Sequence, residues 1–127
     1  MKRLLLALTV LSLTSLAAST VTEAHHSATA FDSAHPVVGT GIVKKFVWAN
    51  PHTWLYLMIP NEQGGADEWE IEGPAVGTLI RQGWKSSTLK PGEKVHVLMA
   101  RRTDGGHGAT FMQVTRENGE VLTTGRL

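Results

Sequence analysis

Period-two alternation of apolar and polar side chains is the feature that most narrows what this chain can become. In Thr53-Trp54-Leu55-Tyr56-Leu57-Met58-Ile59, the aliphatic Leu55, Leu57 and Ile59 fall on one face of an extended strand. Trp54, Tyr56 and Met58 fall on the other. Glu68-Trp69-Glu70-Ile71-Glu72 repeats the device, with Trp69 and Ile71 inward and three carboxylates outward. Two such runs commit the chain to a sheet with one buried and one solvated face.

Turn signals at Asn50-Pro51, Gln63-Gly64-Gly65, Lys90-Pro91-Gly92-Glu93, Asp104-Gly105-Gly106 and Asn118-Gly119 divide the rest into short strands. Residues 37–48 are rich in β-branched and aromatic side chains and make a first strand, in which Gly39 and Gly41 mark a bulge or bend. Beyond the proline turn, Val95, Val97 and Met99 are the inward residues of a fourth strand. Residues 110–115 make a fifth, and Asn118-Gly119 turns it into a short sixth around Val121 and Leu122. Between Gly73 and Gly83 the period changes. Pro74 suits a first helical turn, Val76, Leu79 and Ile80 share a face, and Gly83 ends the helix. Three strands, one short helix and two or three further strands is the order of a small five- to six-stranded OB-like Greek-key barrel, mainly β. A β-sandwich fragment, or an open meander with a packed helix, would give similar signals.

The first 24 residues do not belong to that pattern. Lys2 and Arg3 precede an apolar run from Leu4 to Leu16, and small polar residues continue to Ala24, which is the layout of a secretory signal peptide. The run falls short of the ~20 residues a membrane-spanning helix needs, so no membrane association is expected after cleavage. A cut after Ala24 leaves residues 25–127 as a single domain starting at His25, whereas Ala17-Ala18-Ser19 would allow an earlier one. The expected location is periplasmic or secreted. Cleavage after Ala24 removes Lys2, Arg3 and Glu23, taking the charged side chains from 12 basic and 11 acidic to ten of each. A neutral domain lacks the field that gathers polyanions, which argues against a nucleic-acid partner. With no cysteine, disulfides, thiolate metal sites and cysteine nucleophiles are excluded, and stability rests on a hydrophobic core.

His25-His26-Ser27, Phe31-Asp32, Gly41-Ile42-Val43, Trp48-Ala49-Asn50-Pro51-His52, Trp69-Glu70, Gly83-Trp84 and Leu89-Lys90-Pro91-Gly92-Glu93 occur in that order. Together they resemble a group of small exported bacterial proteins, domain of unknown function 6152, across essentially the whole mature chain. The resemblance implies export and a compact β fold, and it carries no activity.

Site chemistry therefore has to come from side chains. If His25 becomes the first residue, its α-amine and imidazole form one bidentate nitrogen group suited to copper. His26 offers a second imidazole, and His52, held at a strand entrance behind Asn50-Pro51, a third. Glu68, Glu70 and Glu72 are candidate oxygen ligands or partners for a histidine, Glu70 foremost because it follows Trp69 as in the resembled group. His35, His96, His107 and Asp32 rank lower. For each of these the plain alternative is a polar terminus, a loop histidine bonded to a carbonyl, or a solvated strand face. Trp48, Trp54 and Tyr56 form a second constellation, an aromatic platform for a flat ligand or a protein surface, while Trp84 suits a core plug.

No Gly-x-Ser-x-Gly elbow, phosphate-binding glycine loop, His-Glu-x-x-His helix or dinucleotide fingerprint occurs. The leading expectation is an exported, non-catalytic binding or accessory domain acting with a periplasmic protein or small ligand, able to hold copper at its histidine terminus. Two competitors stand beside it. One is a small periplasmic copper redox enzyme; the other is an aromatic-faced module that binds a protein or small organic ligand without metal.

Overall fold

A computed structural model describes residues 30–125. The expected leader and cleavage point, with His25 and His26, lie outside the described residues. Six strands and one helix follow in the order β1 (Val37–Val47), β2 (Trp54–Pro60), β3 (Ala66–Glu72), α1 (Val76–Arg81), β4 (Lys94–Arg101), β5 (Gly108–Arg116) and β6 (Val121–Thr123).

The sheet runs β3-β2-β1-β4-β5-β6, and a further β3–β5 pairing closes the first five strands into a barrel. Only that closing pair is parallel, joining Glu70–Glu72 to Gly108–Thr110. β6 lies outside the ring, paired to Gln113–Thr115. With α1 between β3 and β4, this is the OB-type Greek-key barrel that the order of elements predicts. Closure by β3 and β5 separates it from the sandwich fragment and the open meander.

Alternation sets the interior. Leu55, Leu57, Ile71, Val95 and Val97 are all fully buried, joined by Val43, Met99, Phe111 and Val114. Their neighbours on β2, Trp54, Tyr56 and Met58, remain half-buried on the outer face, and Glu68 and Glu70 are exposed. Trp84 is buried, with rings of Phe46 and Phe111 at 5.9 and 5.8 Å, and its Nε1–H donates to the Thr123 carbonyl at 2.8 Å. It is the predicted core plug.

Three local expectations change. The β1 bulge falls between Val43 and Lys45, not at Gly39 or Gly41. Those glycines are buried for lack of room: a Cβ on Gly41 would lie 2.9 Å from the Met58 carbonyl carbon, and one on Gly39 2.9 Å from Ile59 Cδ1. The helix begins later than Pro74 suggests, with Ala75 at its N-cap and Val76 its first residue. Ile80 is 57% exposed, because a single six-residue helix turns only Leu79 into the core.

Candidate functional site

The loop between β1 and β2 is fastened to the segment after β3. Thr53, fully buried, donates its backbone N–H to the Pro74 carbonyl at 3.2 Å and its hydroxyl to the same oxygen at 2.9 Å. Gly73 N–H returns a bond to the Thr53 carbonyl at 2.7 Å. Asn50 Oδ1 accepts the Val76 N–H at 3.0 Å, supplying from a distance the cap that Ala75 cannot give α1. The Asn50-Pro51 bond is cis.

His52 sits in this corner. Its Nδ1 lies 3.2 Å from the Gly73 carbonyl and 2.8 Å from Glu72 Oε1. Both neighbours only accept, so Nδ1 carries the proton, and in the neutral ring Nε2 keeps its lone pair. A carboxylate on one ring nitrogen and a free lone pair on the other is how metal-binding histidines are oriented; it is equally a structural bond that closes the corner. Glu72 is the carboxylate that meets His52, where the sequence favoured Glu70. Among the described residues, no three His, Asp or Glu side chains converge on a point that could hold a metal ion.

A separate group of side chains covers the outer face of β1, β2 and β3. Cross-strand pairing places Trp54 opposite Val47 and Glu72, Tyr56 opposite Lys45 and Glu70, and Met58 opposite Ile42 and Glu68. The result is a central row of two aromatic rings and a thioether, with Ile42, Lys45 and Val47 on one flank and three carboxylates on the other. Lys45 Nζ lies 4.4 Å from the centroid of Tyr56, a cation–π contact worth ~0.5–1 kcal/mol at an exposed position. Lys44, displaced by the bulge, reaches across to pair with Glu68.

Trp48 does not join this row. Its ring meets Phe46 edge-on at 5.8 Å and packs against the core cluster, so alternation past the bulge turns it inward where sequence reasoning grouped it with Trp54 and Tyr56. His96 accepts or donates at 2.8 Å with Thr40 Oγ1, and His35 pairs with Asp32 at 3.1 Å.

His107 has more company than its glycine-rich surroundings suggest. Its ring stacks on Trp69 at 5.1 Å, while Arg101 lies 5.0 Å from the same indole. Beside it, Arg102 holds Asp104 Oδ2 through Nε at 2.9 Å and Nη2 at 2.6 Å. That hydrogen bond, helped by the Gly106 N–H on the other oxygen, lowers Asp104 to about 2. Arg102 is raised, first by the hydrogen bond to Asp104 and least by the through-space charge of Glu70. Nothing in the spacing of Arg102, Asp104 and His107 announces this cluster; the β4–β5 hairpin makes it.

No helix among the described residues is long and apolar enough to cross a membrane. No curated protein and no solved structure matches the chain. A family model does match, over residues 12–111, which takes in both the fastened corner and the aromatic face. The chain thus belongs to the family described as Family of unknown function (DUF6152).

Proposed function

We propose that this protein is an exported, non-catalytic binding module whose recognition surface is the outer face of β1, β2 and β3. The observation that supports this most is the pair Trp54 and Tyr56, neighbours on β2 and half-buried on the side of the barrel away from the core. Aromatic rings left on a barrel exterior supply large contact area at small conformational cost. OB-type barrels present ligands on this same strand surface. Flanking Lys45 and Glu70 would orient a polar partner group, and the rings would cover its flat or apolar part. The occupant is a small organic ligand or a protein surface in the periplasm or outside the cell.

The test is a comparison of Trp54→Ala and Trp48→Ala against the native chain with indole and short glucose oligomers as probes. Loss of saturable binding in Trp54→Ala, with the native melting temperature retained, supports the face. Binding that survives Trp54→Ala overturns it.

A second reading has its own observation. Glu72 holds Nδ1 of His52, which leaves Nε2 available to a copper ion that an N-terminal His25, with His26, would chelate. The residues present suit Cu(II) in donor type. This reading rests on cleavage after Ala24, and copper titration of that species against one carrying an extra residue before His25 tests it. Whether such a copper would serve a redox reaction turns on an open coordination position beside it.

A further inference from the structure

The barrel wall is incomplete along one seam. β3 pairs with β2 over its whole length but with β5 only through Glu70–Glu72, so Ala66, Asp67, Glu68 and Trp69 have no strand on their second side. The Glu70 N–H donates toward that side, to the His107 carbonyl at 3.0 Å. Backbone groups alternate along a strand, so the N–H and C=O of Glu68 point the same way. Neither has a backbone partner among the described residues.

An open depression of about 410 Å³ lies at this gap, lined by Glu68, Glu70, Arg102, Gly106, His107 and Gly108. Trp69, only 9% exposed, stacks with His107, which forms part of the lining. The charges there do not cancel evenly. Arg102 is satisfied by both its bonds to Asp104, and Lys44 serves Glu68. The Glu70 side chain accepts no hydrogen bond and forms no close ion pair among the described residues, and it acts on Arg102 only through space.

We propose that this seam is a docking edge for an extended basic peptide, which lies alongside β3, bonds the backbone of Glu68 and sets a lysine or arginine against Glu70. An unpaired strand edge is a template for strand addition, and alternate side chains of the added strand then share a face. Glu68 is already paired with Lys44 and the strand position beside Glu70 is taken by Gly108, so the added strand lies along residues 66–69, with one cation at the end nearest Glu70 and the adjacent apolar residue turned toward Trp69 and His107. The seam shares Glu70 with the carboxylate flank of the aromatic face but not the rings of Trp54 and Tyr56, so Trp54→Ala separates the two assignments and should leave binding at the seam intact.

The experiment follows amide resonances of the ¹⁵N-labelled protein during titration with acetyl-Val-Lys-Val-Lys-Val-amide. The expected result is saturable shifts at Glu68, Glu70 and His107, with slowed hydrogen exchange at the Glu68 N–H. Glu70→Gln, a change at an exposed side chain, should leave the melting temperature in place and weaken binding about tenfold, the loss of one charge-assisted bond. The proposal is overturned by any of three results: no saturable shift, equal shifts from the glutamate version of the peptide, or equal shifts from N-acetyl-lysine methylamide, which has no strand to add.

Discussion

Gly73→Ala concentrates several features of the fold in one atom. A Cβ built on Gly73 would stand 2.6 Å from Cζ of Phe111 and closer still to Cε1 of that ring and to Oγ1 of Thr53. Carbon atoms in good contact sit ~3.5–4.0 Å apart, so the overlap is near 1 Å on two sides. Neither neighbour can withdraw, because Phe111 and Thr53 are both fully buried. Overpacking of a dense core costs ~1–3 kcal/mol, and pushing Thr53 aside also strains its bond to the Pro74 carbonyl, worth ~0.5–1.5 kcal/mol. The sum is about 2–4 kcal/mol, against a total of ~5–15 kcal/mol for a domain. At this chain length that lowers the melting temperature by ~10–25 °C. Thermal and urea unfolding followed by circular dichroism measure it. A loss under about 1 kcal/mol would show that the corner joining Thr53 to Gly73 and Pro74 is slack, and that His52 and Asn50 are not held as described.

Other perturbations probe separate parts. Leu57→Ala removes a fully buried side chain from the barrel interior and should cost about 2–5 kcal/mol, read from the urea midpoint; an unchanged midpoint would mean the inward face is misassigned. Asp104, lowered from 3.8 to about 2, favours the folded state above its unfolded value, and that contribution fades as pH falls from about 4 toward 2. A carboxyl titration by NMR should show Asp104 titrating near pH 2, and an ordinary value would mean that Arg102 does not hold it. A chain beginning at His25 should bind one Cu(II) and release it in acid, since the amine and imidazoles must be deprotonated to coordinate. Equal uptake by a chain extended by one residue would end the terminal-histidine reading.

Where one physical pressure dominated, the sequence was readable. In β2 and β3 every second side chain is inside, so Leu55, Leu57, Trp69 and Ile71 identify themselves. Irregular places were harder. The bulge at Lys44 shifts β1 by one residue, and that shift turns Phe46 and Trp48 inward together, away from the face that carries Trp54. Ile80 looked like core because helical spacing links it to Val76, yet a helix of six residues has one buried turn to offer. The Glu72–His52 contact joins positions twenty residues apart through a strand register that no local pattern encodes. The seam beside β3 is similarly a product of where β5 stops pairing, and the β4–β5 hairpin brings His107 to it.

The recognition face can be tested on the protein's own tryptophans. The chain has four, and their indole N–H resonances report from different places: Trp54 on the outer face, Trp48 beside Phe46, Trp69 under His107 and Trp84 bonded to Thr123. Titration with a ligand or partner fragment, followed at those four signals, should move Trp54 saturably and leave Trp84 and Trp48 in place. Movement of Trp48 or Trp84 with a stationary Trp54 would contradict the assignment of this face and send the search for the binding surface elsewhere on the barrel.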